Sequence, residues 1–282
     1  MRFVLLSRLN RMRRGDDGAR RTRGVRAPSL PGAQGATTIG FASGGIVFEK
    51  TARYYDKIYA FKDHPAEVKT LIGFVKRELG EVCGRLLDVA CGTGKHLELL
   101  RESFEVEGLD LSPELLDVAR ERLPGVRFHC ADMRDFEISA RFDVITCLFS
   151  AIGYMTSLDD LARAIRSMGD HLAPGGLLIV EPWFTPEQWM PNTAHAMLID
   201  EPELKIARLN TSLVEGRVSI VDLHHLIATP EETTHILEEH RLGLFTVDEM
   251  TSAFEQANVS VRYDEEGLTG RGLYLARKGP ES

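Results

Sequence analysis

The chain has 282 residues, 43% hydrophobic and 27% charged, with 34 basic residues against 42 acidic ones. That composition suits one α/β domain, with or without a large insertion, and excludes collagenous, coiled-coil and disulfide-scaffold classes. In residues 1–50, nine Arg and Lys50 face Asp16, Asp17 and Glu49, so this segment carries +7 and the remainder −15. A body this acidic repels phosphate backbones, which argues against a nucleic-acid substrate.

Residues 1–46 set Arg11-Met12-Arg13-Arg14 and Arg20-Arg21-Thr22-Arg23 among Gly, Pro, Ser and Ala. Such a composition cannot bury a core, so an unstructured leader is expected there and a folded domain over residues 47–282. Val47–Leu79 carries Tyr55, Tyr59, Val68, Leu71, Ile72, Val75 and Leu79 near helical spacing, with Pro65 opening a second helix. Strand and helix signals then alternate. Arg85–Val89 is a strand that breaks at Cys91-Gly92-Thr93-Gly94 and runs into a helix over Lys95–Glu102. Val106–Leu111 is the second strand; Ser112 caps the next helix and Pro113 starts it. Val126–Cys130 and Phe142–Phe149 are the third and fourth, the latter nearly all apolar, as a strand buried on both faces must be. Leu158–Leu172 is helical, and Pro174-Gly175-Gly176 turns into a fifth strand, Leu177–Glu181. The alternation implies a doubly wound, mostly parallel sheet with helices on both faces.

Beyond Glu181 the texture changes. Lys205–Leu213, Val218–Ala228 and His235–Phe245 read as antiparallel strands, with a hairpin turn at Glu215-Gly216, inside an insertion over residues 183–240. Thr246–Asn258 is a helix with Thr246 and Glu249 as a capping box, and Val259–Tyr263 with Leu273–Arg277 forms a closing hairpin. The four cysteines contain no C-x-x-C pair and read as reduced, mostly buried thiols of a cytoplasmic protein. No apolar run reaches the roughly 18 residues of a membrane helix. His224 and His225 are neighbours in a strand and point to opposite faces, so no metal site is expected.

The strongest chemical signal is Asp88-Val89-Ala90-Cys91-Gly92-Thr93-Gly94: a strand end, a carboxylate, then G-x-G opening a helix. The glycines let backbone approach a ligand. The third position of a dinucleotide G-x-G-x-x-G is Leu97, and Asp88 suits a cationic amino acid end better than a pyrophosphate. Asp110 ends the second strand, eighteen residues after Gly92, where a carboxylate accepts both ribose hydroxyls. Asp132-Met133 follows the third strand, where an adenine lies, with the carboxylate toward its amine and Met on its ring. Arg271, held between Gly270 and Gly272, offers a planar fork that pairs phosphate bidentately, or is a solvated loop residue.

With Pro174-Gly175-Gly176, these motifs resemble the class I S-adenosylmethionine methyltransferases, a Rossmann-like fold on a seven-stranded sheet. More narrowly, Leu86–Gly94 with His96-Leu97-Glu98, Asp132-Met133-Arg134-Asp135-Phe136, Phe149-Ser150 with Gly153-Tyr154, Val180-Glu181-Pro182-Trp183 and Gly270-Arg271-Gly272-Leu273 resemble the N,N-dimethyltransferases of dTDP-linked amino-deoxysugars in antibiotic pathways. The likeness covers residues 50–282 and leaves out the Arg-rich leader. It implies S-adenosyl-L-methionine as cofactor, held by Asp88, Ala90, Gly92, Gly94, Asp110, Leu111, Asp132, Met133 and Phe149. It implies Tyr55 and Tyr154 beside the reacting amine, Trp183 and Arg271 on the substrate, an inserted antiparallel β-sheet, and a homodimer. From the residues alone, Tyr55 also fits one face of an amphipathic helix, Tyr154 a loop aromatic and Trp183 a core anchor. Methylation of another small metabolite at N or O, and a non-catalytic cofactor-binding protein, are the alternative readings.

Overall fold

The computed structural model describes Phe48 and residues 50–280; the expected leader, residues 1–46, lies outside them. A seven-stranded sheet runs in the order β10-β11-β5-β4-β1-β2-β3. Its strands are β1 (Arg85–Val89), β2 (Glu105–Asp110), β3 (Arg127–Cys130), β4 (Phe142–Cys147), β5 (Leu172–Val180), β10 (Val259–Asp264) and β11 (Leu273–Lys278). The first five are mutually parallel, and β11 joins β5 antiparallel. Alternate residues serve opposite faces, as the pleat requires. Leu87, Ile145 and Leu178 pack toward α5 (Leu158–Asp170) and α6 (Val247–Gln256). Leu86, Val144 and Leu177 pack toward α2 (His64–Leu79), α3 (Lys95–Leu100) and α4 (Pro113–Arg122).

The helix starts follow local chemistry. Asp63, Ser112 and Ser157 each accept a backbone N–H with the side chain at the N-terminus of α2, α4 and α5. Thr246 and Glu249 form the expected capping box of α6. Gly80 closes α2 in the left-handed region.

A second sheet, β6-β7-β8-β9, is antiparallel throughout: β6 (Ala194–Glu201), β7 (Leu204–Glu215), β8 (Val218–Ala228) and β9 (Thr233–Gly243). Its inner face buries Ile206, Ile227 and Ile236 against Ile58 of the short helix α1 (Tyr55–Ile58), with Tyr54 and Tyr59 beside them. That packing holds α1 against the inserted sheet.

Three details depart from the sequence reading. The strand β6 has no counterpart in it, because the intervening Ala194–Glu201 alternates exposed and half-exposed residues without a strong apolar period. The Pro174-Gly175-Gly176 segment lies inside β5, carried by a register shift between Phe142 and Val144 on the neighbouring strand. Of the four free thiols, only Cys91 and Cys147 are buried; Cys83 and Cys130 are exposed. No helix among the described residues is long and apolar enough to cross a membrane.

Candidate active site

The sheet order reverses between β1 and β4, and open α/β sheets bind ligands beyond the carboxyl ends of the strands at such a point. The backbone is strained there. Ala90 after β1 sits at φ 58°, and Phe149 and Ser150 after β4 at 53° and 60°. Non-glycine residues enter this region at a cost of about 1–3 kcal/mol each, and functional sites are where that cost is tolerated. Gly92 and Gly94 take the same region at 55° and 76°. A methyl group built on Gly92 would meet open space, so the turn leaves a recess beside its backbone.

Two carboxylates face this recess from adjacent strands. Asp110 is buried; its Oδ2 accepts the Gly92 N–H at 2.8 Å and its Oδ1 the Ser112 N–H at 2.9 Å. Burial raises its pKa, opposed by those N–H groups. Asp88 is buried and its Oδ1 accepts the Thr146 hydroxyl across β1 and β4 at 2.7 Å; desolvation pushes its pKa up to about 6. Leu111, one residue past Asp110, is half exposed. The Asp132 carboxylate lies farther out and folds back on Arg134, which donates to both of its oxygens. Met133 is half-buried against the core.

Aromatic rings wall the recess. Phe48 contacts Tyr55 at 5.1 Å between centroids, Tyr55 contacts Tyr59 at 4.6 Å, and Tyr59 contacts Phe149 at 5.3 Å. Desolvation among these groups raises the phenols of Tyr55 and Tyr154 well above their ordinary range. The structure thus brings Tyr55, Tyr59 and Phe149 into one ring cluster, and the Tyr154 hydroxyl meets His240 Nδ1 at 2.8 Å. The α1 end is tied down where Asp56 pairs with Arg122 and accepts the Thr93 hydroxyl of the glycine turn.

Trp183 and Arg271 also meet. The Arg271 guanidinium stands 5.5 Å from the Trp183 ring centre and 5.3 Å from that of Phe184, and donates to Ser150 at 2.9 Å. Trp183 donates its indole N–H to Ser219 of the inserted sheet. Gly272, at φ 87°, is required: a methyl there would fall 2.1 Å from the Tyr263 hydroxyl. Glu181, part of the Val180–Trp183 motif but assigned no role from sequence, accepts the Phe149 N–H and the Thr269 hydroxyl and links the strained turn to the Arg271 loop.

The sequence reading also missed the inner face of the inserted sheet. Arg208, His225, Glu238 and His240 all lie on it, and Arg208 Nε, His225 Nδ1, Glu238 Oε2 and His240 Nε2 are buried without a hydrogen-bond partner. Desolvation lowers His225 to about 4, against the pull of Glu238.

A methyltransferase-domain family model matches residues 86–176. The dTDP-3-amino-3,6-dideoxy-alpha-D-glucopyranose N,N-dimethyltransferase of Streptomyces fradiae is 38% identical over 232 residues, 81% of this chain and 91% of that protein. The dTDP-4-amino-2,3,4,6-tetradeoxy-D-glucose N,N-dimethyltransferase of Saccharopolyspora spinosa is 39% identical over 227 residues, covering 79% and 91%. Among solved structures, the sugar N-methyltransferase KedS8 from Streptoalloteichus superposes with a TM-score of 0.78 at 30% identity, over 89% of this chain and all of that one (100%). CalS10, an amino pentose methyltransferase from Micromonospora echinaspora solved with S-adenosylmethionine bound, gives 0.72 at 36% identity, covering 79% and 96%.

Proposed function

The chain belongs to the dTDP-amino-sugar N,N-dimethyltransferases, a branch of the class I methyltransferases, and from that premise we propose that it methylates the amine of a nucleotide-linked amino-deoxysugar with S-adenosyl-L-methionine. The observation that carries this reading is the convergence, at the carboxyl ends of β1, β2 and β4, of two buried carboxylates and a wall of aromatic rings.

The residues fit the cofactor. Gly92 leaves room beside its backbone, and Asp110 has each oxygen held by one N–H, so each keeps a lone pair for a ribose hydroxyl. Asp88 suits an α-ammonium, and Ala90, Gly94, Leu111, Asp132, Met133 and Phe149 complete the cofactor set in this reading. When bound, the cofactor supplies a methyl group on a cationic sulfur. The chain's own work is orientation and exclusion of water, and orientation alone is worth roughly 7–11 kcal/mol of barrier. Tyr55 and Tyr154 present hydroxyls to the amine, while ring faces favour a positive charge between them. Arg271 takes the diphosphate, and Trp183 beside it takes a ring of the substrate.

We place the methyltransferase unit at residues 47–282, with the inserted sheet over 183–240, and the leader outside it. Free thiols fit a reducing compartment, which supports the cytoplasm. The outer face of the inserted sheet exposes Leu198, Leu209, Leu226 and Leu237, diagonal neighbours on successive strands with the stacked His224–His235 pair among them. An apolar face of this kind suits a second copy in an isologous dimer.

Mass spectrometry of products from a panel of dTDP-linked amino-deoxysugars tests the assignment. A gain of one or two methyl masses on the amine is expected. Methylation only of unrelated small amines or hydroxyls would replace the sugar nucleotide, and no turnover with tight cofactor binding would favour a non-catalytic protein.

A further inference from the structure

The inner face of the inserted sheet holds chemistry that cofactor binding does not use. His225 of β8 and His240 of β9 are 1% and 5% exposed. The Nδ1 of His225 and the Nε2 of His240 each lie 3.9 Å from the same oxygen, Oε2 of Glu238. The other Glu238 oxygen is fixed by the Thr51 hydroxyl at 2.7 Å. On its far side, His240 meets the Tyr154 hydroxyl at 2.8 Å through Nδ1. One line of groups therefore runs from the ring-walled recess into the inserted sheet: Tyr154, His240, Glu238.

We propose that His240, acting through Tyr154 and held by Glu238, takes the proton that the substrate amine must lose. This rests on the amine reading above. A sugar amine is largely protonated at neutral pH and in that form has no lone pair to offer; the lysine ammonium, the nearest side-chain analogue, titrates near 10.4. After one methyl transfer the product is again a charged ammonium, so a second transfer needs a second proton removed.

Charge fixes the direction of the relay. With its Nε2 facing a carboxylate oxygen, the neutral His240 ring carries its proton on that nitrogen. Nδ1 is then the acceptor, and Tyr154 donates to it. Tyr154 keeps its own proton, since it is desolvated beside Tyr59, Glu238 and Asp110; it is a conduit and not a phenolate base. In the step, an N–H bond of the ammonium breaks as a proton joins the Tyr154 oxygen. The Tyr154 proton passes to His240 Nδ1. The amine is left neutral with its lone pair free, and the positive charge now sits on the imidazolium beside Glu238. The other groups facing His240 are the Phe48 ring and His225 on β8; Arg208 on β7 acts on His225 and Tyr59, and Tyr59 after α1 lies in the field of Glu238. Desolvation holds His225 neutral down to about pH 4, so it adds no competing charge during turnover.

His240 is thus a positioning and proton-accepting residue that acts through another, and its test must separate that role from packing. The full chain is assayed on a dTDP-amino-sugar with His240→Asn, which keeps an acceptor for Tyr154 but cannot hold a proton, and with Glu238→Gln. Expected for His240→Asn is roughly a tenfold loss of kcat near neutral pH, recovered at alkaline pH as solvent takes the proton. Mono-methylated product should accumulate, and affinity for S-adenosylhomocysteine should stay within twofold. Glu238→Gln should show the same pattern, more weakly. An unchanged pH profile, or a loss uniform across pH, overturns the relay. Histidine 15N NMR of the wild-type chain gives a second readout that needs no turnover: Nδ1 of His240 should be the unprotonated nitrogen and should shift in Tyr154→Phe. A proton found on Nδ1 refutes the relay even if a sugar is methylated. Absence of turnover on every amino-sugar, with the expected NMR tautomer, refutes the substrate reading and leaves the hydrogen-bonded line standing.

Discussion

Replacing Asp110 by Ala removes the acceptor of two buried backbone donors and, in the proposed cofactor pose, of the ribose at once. The Gly92 and Ser112 N–H groups, at 2.8 and 2.9 Å, lose their partner in a site only 8% exposed. A buried donor left unpaired costs about 1–3 kcal/mol, and partial entry of water returns some of it, so the apo fold should lose about 2–4 kcal/mol. The ribose loses two hydrogen bonds to a charged acceptor, again about 2–4 kcal/mol. At 1.4 kcal/mol per decade, that weakens cofactor binding roughly 30- to 1000-fold. Calorimetric titration with S-adenosylhomocysteine, run below the variant's melting temperature, reads the second number, and the melt reads the first. Asp110→Asn serves where Ala does not fold, since it keeps the shape but turns one amide N–H toward a backbone N–H. A variant with wild-type melting and affinity within threefold would show that Asp110 neither braces the glycine turn nor holds the ribose.

Asp88 gives a pH test with two opposite signs. Its pKa in the fold, about 6, lies above the ordinary carboxylate value, so between pH 4 and 6 the folded chain keeps a proton that the unfolded chain has released. Apo stability should therefore fall as pH rises through that window, while in the proposed cofactor pose S-adenosylhomocysteine binding should tighten, because the ionised carboxylate would face an α-ammonium. Asp110, whose carboxyl burial also raises, adds a stability trend of the same sign. Both trends should weaken in Asp88→Asn, read by melting curves with and without ligand. Leu226→Lys on the outer sheet face should convert a dimer to a monomer in light scattering, and a wild-type monomer would remove that interface. A chain starting at Gly44 should keep its melting temperature and turnover, because the composition before it cannot bury a core; a large loss of either would show that the leader docks.

The parallel half of the fold was legible because its signals are local. Glycine turns, caps and short apolar strands each depend on a few adjacent residues, and Asp88, Gly92, Gly94 and Asp110 sit where strand ends must. The inserted sheet was half legible. Its strand β9 places Ile236, Glu238, His240 and Leu242 on one face by parity alone, so a polar pair in an apolar register was available as a clue. What no local pattern gives is that this face lies over the Tyr154 end of the recess, since Tyr154 and His240 are 86 residues apart. The same holds for Glu181, whose partners Phe149 and Thr269 come from other strand ends. The Asp132 carboxylate shows the converse limit: its position was readable, but not its commitment to Arg134 two residues on.

If Arg271 takes the diphosphate, as proposed, it decides whether an anionic substrate can be drawn to an acidic protein. Residues 51–282 carry a net −15, and a dTDP-sugar brings about two negative charges to it. Screening limits that repulsion to about 8 Å at physiological salt, so at close range the local cation wins. Arg271 is well built for it: Trp183 and Phe184 flank its guanidinium and Ser150 anchors one nitrogen, so the planar fork is ordered before substrate arrives. A diphosphate contact remote from the amine exists in ground and transition states alike, so Arg271→Ala should raise KM about tenfold and leave kcat nearly unchanged. Arg271→Lys should not restore it, because a point charge lacks the bidentate fork. Salt separates the two forces. Added salt should raise KM in the wild-type chain, where attraction dominates, and lower it in Arg271→Ala, where only repulsion remains. If both respond to salt alike, or if KM for every dTDP-sugar is unmoved by the substitution, Arg271 does not meet the diphosphate and its stacking on Trp183 serves packing alone.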